Sequence, residues 1–442
     1  MIVVSSSSSS GTTTTASKGG SAQCKSVPLK ATEVGVTPSD ISIQVMADVG
    51  SPLAPGLFQA NVDAINGFAK YWNAHGGIGC RQVKVNVWDS KLSAEESKNG
   101  LINGCQNSLA KVGGSTLFNA DVSPMTGCVD KSGAATGLPD LAGVANSLTE
   151  QCAKGVYVIH SVNEVCPVVL GRPRPFREPG GTTKWYVKNL FKGVKPHGLY
   201  MVPGDLPSTT ASSMPIIESQ RQAGFTFDDL LKVSSRDTQA AFTPRVQSVK
   251  DHASNFVFGG TNDTGLILMR KEAKAQGVDT VKLWACSLGC YTKAFVASGG
   301  TAVDGTYLWL GFLPFEEVKA NKEMQHYVTT VGTDKINSFG GEAWMAGVLF
   351  KQAIDDVVAS HGPNGITRVN LLAALDKVKD FTANGWLGKK DLHGHSPCFL
   401  ILQLRNAKWV RVYPKKVGTM DCTASNVTTV TVDPAVEVAK IK

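Results

Sequence analysis

The sequence predicts an α/β protein of two doubly wound lobes joined by a hinge that the chain crosses three times. Three observations predict it. Strands with a period of two alternate with helices of period 3.6. That alternation runs twice in succession, with a Pro/Gly/Arg-rich passage between the runs. At 442 residues and 42% hydrophobic, the chain is long enough to bury two cores.

The first unit, over 40–89, sets the pattern. Ile41, Ile43 and Val45 alternate with Ser42 and Gln44, the period of a strand, which breaks at Gly50-Ser51-Pro52. From Gly56 to Ala74, the apolar residues Phe58, Val62, Ile65, Ala69 and Trp72 recur at helical steps along one side. Gly76-Gly77 end this helix, because glycine takes the left-handed conformation a terminus needs. Val83, Val85 and Val87 then alternate with Lys84 and Asn86 as a second strand. The result is a βαβ unit, whose first loop lies where open α/β sheets place ligands.

The following elements keep this rhythm. A helix over 93–109 leads to a strand over 112–118, which opens into Asn119-Ala120-Asp121-Val122-Ser123. A helix through 128–133 precedes a strand over 140–144 that ends at Ala145-Asn146-Ser147, and a strand over 156–160 completes the run. The passage 165–181 reads as the crossover out of the first lobe. In the second run 182–191 is helical, and a strand over 198–202 ends at Pro203-Gly204-Asp205. Helix 211–223, strand 230–233, helix 242–252 and strand 255–258 follow, the last ending at Gly259-Gly260-Thr261-Asn262-Asp263. Helix 265–276 points Leu266, Leu268, Met269 and Ala273 at the sheet, and strand 281–285 opens into the loop 286–291. Strand 307–312 runs back toward the first lobe, helices follow at 342–360 and 370–378, and 399–404 with 409–413 form a hairpin. The crossings fall near Pro173, Leu313 and Leu387. The lobes are therefore expected at 38–170 with 315–385 and at 171–314 with 386–414. A disordered Ser/Thr/Gly-rich linker over 1–37 precedes them and a polar tail over 415–442 follows.

Composition excludes several classes. Charged residues make up 18% of the chain and the formal charge of +8 is spread along it, a solvated surface rather than a nucleic-acid footprint. No apolar run approaches the roughly 20 residues needed to cross a bilayer. Met1-Ile2-Val3-Val4 is too short for a signal-peptide core, so a signal and a lipid anchor are expected upstream of the tethering tract. No GxGxxG follows a strand and no GxxxxGK[ST] occurs, so nucleotide chemistry and its cofactors have no support.

Ten cysteines indicate an oxidising compartment. Cys80 and Cys105 flank the second strand and its helix, Cys128 and Cys152 bracket the next unit, and Cys286 and Cys290 share a loop. Cys398 and Cys422 would tie down the tail, leaving Cys24 and Cys166. Disulfides are favoured over thiols or zinc because no CxxC pair occurs, and connectivity does not follow from sequence. His393-Gly394-His395 with Cys398 reads as a turn beside a disulfide rather than a metal site. His160, Cys166 and Asp205 have no spacing that favours a hydrolytic trio over structural roles. Trp309, Phe312 and Phe315 read equally as a cleft wall or as core between the lobes.

Three blocks in order carry a family resemblance: GLFQANVDAINGFAKYWNAHGGIGCRQVKVNVWD, FVFGGTNDTGLILMRKEAKAQGV, and VKANKEMQHYV leading to GEAWMAGVLFKQAI. The chain from about residue 40 to 414 resembles the type I periplasmic binding proteins of the branched-chain amino-acid (leucine/isoleucine/valine-binding) group of ABC transporters. The resemblance implies a non-enzymatic Venus-flytrap fold outside the cytoplasm, a monomer without cofactor. It would deliver a small ligand, an amino acid, amide or small carboxylic acid, to an ABC permease. A ligand-sensing receptor domain of a signalling system is the alternative use of the same fold. The resemblance also implies a Cys80–Cys105 disulfide. Its ligand loops match Ser51, then Asn119, Asp121 and Ser123, then Asn146 and Ser147 in the first lobe. In the second they match Asp205, Thr261, Asn262, Asp263 and Ser287. Hydroxyls and free amides at helix starts there would hold a carboxylate or carbonyl; the same residues also serve as helix caps. One departure stands out: the loop 285–290 lacks the acid that pairs with an amino acid's ammonium. Asp263, Asp205 or Asp121 must replace it, or the ligand is not an α-amino acid.

Overall fold

The computed structural model describes residues 24, 27–52, 54–119, 121–160, 163–168, 171–260 and 263–441. The first run of elements is β1 (Asp40–Ala47), α1 (Gln59–Ala74), β2 (Gln82–Asp89), α2 (Ala94–Asn107), β3 (Ala110–Val112) and β4 (Ser115–Thr116). It continues through α3 (Ser123–Thr126), β5 (Asp140–Ala142), β6 (Val144–Ala145), α4 (Leu148–Gln151) and β7 (Val156–Val158). These seven strands form one parallel sheet, in the order β6-β4-β1-β3-β5-β7 with β2 on β1. Two of its strands are interrupted. Gly113-Gly114 separates β3 from β4 because α1 lies close: a Cβ on Gly113 would fall 2.6 Å from Ile65 Cδ1. Asn61 of α1 makes good the lost pairing, donating Nδ2 to Gly113 O at 2.8 Å and Ser115 Oγ at 3.0 Å.

The second run begins with β8 (Arg174–Glu178), α5 (Gly180–Tyr186) with a π-turn over Val187–Phe191, β9 (His197–Pro203), α6 (Pro207–Gln222) and β10 (Thr226–Val233). Next come α7 (Thr243–Asp251), β11 (Phe256–Phe258), α8 (Asp263–Ala275), β12 (Leu283–Cys286), α9 (Lys293–Gly299) and β13 (Tyr307–Leu310). Three helices, α10 (Lys322–Val331), α11 (Ser338–His361) and α12 (Arg368–Leu375), then return to the first sheet. Trp344 of α11 meets Phe68 of α1 edge-on at 5.3 Å and donates Nε1 to the buried Glu323 at 2.7 Å. The chain ends with β14 (Leu400–Arg405), β15 (Lys408–Tyr413), β16 (Thr428–Val432) and α13 (Pro434–Ala439). The second sheet has the order β10-β9-β11-β12-β13-β14-β15, parallel through β13 and antiparallel after it. In both sheets the second strand lies outside the first and the third on its other side, so the strand order reverses at a switch point beside β1 and beside β9.

Five expectations are corrected. The helix expected through 128–133 is instead the short α3 followed by a turn. Asp130 Oδ1 accepts from Ser132 N and Oγ and from Ala134 N, which favours the turn over a helix. The passage 165–181 is more than a crossover, because its β8 pairs antiparallel with β16. The segment after 414, expected as a polar tail, therefore folds: Val430 and Val432 bury against Phe176 and Leu148, and α13 packs on α6. At the other end, the Ser/Thr/Gly tract lies outside the described residues, but residues counted with the linker are anchored. Lys30 N donates to Asn364 Oδ1 at 2.9 Å, and buried Glu33 accepts from Lys131 N at 2.8 Å and Arg368 N at 3.1 Å.

The fifth correction concerns the cysteines. The pairs are Cys24–Cys80, Cys105–Cys128, Cys152–Cys166, Cys286–Cys290 and Cys398–Cys422. Cys80 and Cys105 do not join each other. The anchored amino-terminal segment brings Cys24 to Cys80, with Cα atoms 5.4 Å apart, and the turn after α3 brings Cys128 to Cys105 at 5.6 Å.

Candidate functional site

A cavity of about 670 Å³ lies between the carboxyl ends of the two sheets. The first sheet contributes Phe58 from the β1–α1 loop, Leu117 after β4, Asn146 after β6 and His160 after β7. The second contributes Asp205 after β9, Gly260 and Asp263 around the β11–α8 loop, Ser287 after β12 and Trp309 on β13. Gly260 is required there: at φ +56° a Cβ would fall 2.5 Å from Met201 O. The far wall comes from β8, α5 and one face of α6, where Thr209, Ser212, Ile216, Ser219 and Gln220 recur at helical spacing.

Of the residues expected at the site, Asn146, Asp205, Asp263 and Ser287 line this cavity. Asp205 also braces the wall, its Oδ2 accepting from Ser234 Oγ, Ser235 N and Ser235 Oγ at 2.7–3.1 Å. Burial pushes its carboxyl up, but these bonds outweigh burial and hold it below the usual range. Asp263 uses Oδ1 to accept from Thr264 N at 2.8 Å, and burial raises its pKa. Thr261 and Asn262 lie outside the described residues.

The remaining expected residues are used elsewhere. Ser51 is buried in the loop after β1 and does not line the cavity. Asn119 turns inward and donates to the buried Glu150 Oε1 at 2.5 Å. Asp121 is exposed; it accepts from Ser123 Oγ at 2.6 Å and Ser123 N at 3.0 Å, pairs with Lys98 at 3.2 Å, and its pKa is lowered to about 2 by Ser123 and Lys98. Ser147 Oγ shares a hydrogen bond with Thr149 Oγ1 at 3.0 Å and is likewise off the cavity. These loops do sit at strand ends, but their side chains satisfy local backbone and neighbouring acids. Asp121 lies outside the cavity that Asp205 and Asp263 line.

Sequence reasoning missed the far wall. Glu178, Thr182, Tyr186, Thr209 and Gln220 all line the cavity. Each has a side-chain oxygen that is buried without a hydrogen-bond partner among the described residues. A signal was present: a sheet-packed helix reading PSTTASSMPIIESQ carries hydroxyls where an apolar stripe is usual. His160 and His395 were noted for other reasons. His160 Nδ1 lies 2.9 Å from Glu342 Oε1, while His395 is lowered to about 3 by burial, then by Lys390, His160 and Arg177, and is neutral. Cys166 is bonded to Cys152, so the weighed hydrolytic trio has no thiol. Trp309 lines the cavity, whereas Phe312 and Phe315 pack with Tyr291 and Trp386 where the chain crosses between sheets.

The same architecture occurs in solved structures at low sequence identity. A leucine-binding protein from Thermotoga maritima superposes with a TM-score of 0.64 at 12% identity, covering 84% of this chain and 97% of its own. An ABC transporter substrate-binding protein from Aeropyrum pernix gives 0.67 at 12%, covering 91% and 100%. An ABC transporter solute-binding protein from Rhodopseudomonas palustris in complex with benzoate gives 0.62 at 14%, covering 86% and 99%. No curated protein matches the sequence. These likenesses establish the two-lobed type I fold. Residues 40–407 match the family model described as periplasmic binding protein, a family of binders rather than enzymes, and the chain belongs to that family.

Proposed function

We propose that this protein is the extracytoplasmic solute-binding protein of an ABC importer, which captures a small organic ligand by hinge closure and offers the closed form to a permease. The cavity between the two sheets carries this reading: a ligand there touches both lobes, so closure gains contacts that the open state lacks. Neighbours with leucine and benzoate in their names share the fold, so ligand choice rests on the lining rather than the scaffold. Five disulfides support a location outside the cytoplasm. Asn146, Asp205, Asp263 and Ser287 face the ligand in this reading. The moving units are 38–170 with 315–385 and 171–314 with 386–414. Residues 415–441 travel with the second, because α13 packs on α6.

The test is a thermal-shift screen of oxidised full-length protein, followed by small-angle scattering with each hit. A ligand at 100 times its dissociation constant adds about 2.7 kcal/mol of stability. The radius of gyration should fall on binding. A hit that binds tightly and leaves the scattering curve unchanged sinks the closure mechanism.

A further inference from the structure

We propose that Glu178 is the anchor of the ligand site and that the ligand is an organic cation, an ammonium or amidinium group on an apolar body. This deepens the solute-binding reading and rests on it.

The geometry begins with an isolated acid. Glu178 ends β8, has no solvent exposure, and lines the cavity. Neither of its carboxylate oxygens has a hydrogen-bond partner among the described residues. The fold treats its other buried acids differently. Asp140 pairs with Lys111 at 2.8 Å, Glu164 with Arg174 at 2.6 Å, and Glu317 accepts from Arg411 Nη2 at 2.7 Å. Glu323 accepts from Trp344, and Glu150 from Asn119. A buried carboxylate without a cation or donor is costly, so a position that keeps one in a cavity wall points to a partner from outside.

The surroundings select the sign of that partner. Among the described residues lining the cavity there is no lysine or arginine, while Glu178, Asp205 and Asp263 are acidic. His395 is neutral, and the chain as a whole carries +8, so an acidic cavity is a local feature. On α5, which lines the same cavity, Thr182 Oγ1 and Tyr186 OH are also without a partner among the described residues. Tyr186 and Tyr200 both pack on Phe258, at 6.4 and 6.0 Å between ring centroids, and offer aromatic surface to a cation and its apolar body. The ligand is therefore held at one end by charge and along its body by rings.

The protonation state follows. Burial pushes the Glu178 carboxyl well up, which favours the protonated form while no cation is bound. Tyr200 on β9 lies near enough to feel the Glu178 charge, Tyr186 on α5 lines the same cavity, and burial holds both phenols protonated; the cavity's other titratable groups are Asp205, Asp263, His160 and the neutral His395. Beside it in β8, Arg177 lies on the opposite side of the strand, near Gly394. β16 carries no ionisable residue, and α6 has Glu218 and Arg221 paired with each other at 3.4 Å. An arriving ammonium keeps its own proton, and the carboxylic proton of Glu178 leaves to solvent, so the bound state is an ion pair.

The experiment is titration calorimetry of the full oxidised chain at pH 7 in two buffers of different ionisation enthalpy. The probes are benzylamine, tyramine and benzamidine, against benzoate, benzyl alcohol and L-phenylalanine. The proposal expects an amine or amidine to bind with release of about one proton. It expects Glu178→Gln to fold with unchanged or raised melting temperature and to weaken that probe by at least about 100-fold, with the proton release gone. Thr182→Val, which leaves the carboxyl in place, should weaken it by less, about 5-fold. Equal binding of the amine by parent and Glu178→Gln overturns the proposal, and so does binding of benzoate or benzyl alcohol with no amine bound. Those results leave the solute-binding reading standing. Absence of binding and of compaction with every probe counts against both.

Discussion

Ser208 Oγ donates to the carbonyl oxygen of Leu117 at 2.7 Å, and this single bond joins the start of α6 to the loop after β4 across the cavity. The two residues belong to different sheets, so the bond exists only while the lobes are together. Ser208→Ala should therefore move the ligand-free protein toward the open form. One such bond contributes about 1 kcal/mol, so apparent affinity for any ligand should fall about 5-fold. Scattering of the ligand-free variant should show a larger radius of gyration; an unchanged radius would mean that the bond does not bias the hinge.

Lys390 predicts a pH dependence. Its Nζ is buried and donates to the carbonyls of Val158 at 2.7 Å, His160 at 3.0 Å and Ile159 at 3.2 Å, closing off the end of β7. Burial lowers its pKa from the ordinary 10.5 to about 7, against the opposing pull of Glu342 and Asp391. Between these values the unfolded chain binds more protons than the folded one, so stability rises with pH across that window and is lowest below it. Denaturant midpoints at pH 7 and 9 should show the rise in the parent and its loss in Lys390→Met. That variant also removes the donor, two of whose N–H bonds remain to the neutral amine at pH 9, and should cost about 1–3 kcal/mol there.

The disulfide pattern is directly testable. Non-reducing peptide mapping should give Cys24–Cys80 and Cys105–Cys128 peptides; a Cys80–Cys105 peptide would contradict the structure. Cys105→Ala with Cys128→Ala should lower stability by about 3 kcal/mol, as expected for a loop of 23 residues.

Truncation after Pro414 tests the folded carboxyl terminus. It removes β16, α13 and the Cys398–Cys422 bond, and uncovers Phe176 on β8. Because β8 carries Glu178, the shortened chain should melt at lower temperature and bind its ligand at least about 10-fold more weakly. Unaltered melting would show that β16 adds nothing to β8.

Much of the fold was legible because its signals are local. The alternation in 41–45, the one-sided stripe of α1 and the strand-helix rhythm each lie within a window of some twenty residues. The interruptions of β3/β4 and β5/β6 were not, since they depend on how closely α1 approaches the sheet. The site divided along the same line. Asn146, Asp205, Asp263 and Ser287 follow from a rule about strand ends. Asn119, Asp121 and Ser123 obey that rule too, yet find partners in Glu150 and in each other, and a hydroxyl in sequence does not say which way it turns.

The sequence by itself determined the fold class and the strand-end loops, because periodicity and glycine turns act on neighbours along the chain, and three blocks of it resembled the family that residues 40–407 match. Tertiary structure decided the rest. The pairing of β8 with β16 joins residues about 250 apart, the partners of Cys80 and Cys105 come from segments outside the βαβ unit, and Glu178, buried in the wall formed with α5, α6 and β9, has no partner among the described residues. Burial and partnership are properties of the packed molecule, and a carboxylate's chemistry depends on both.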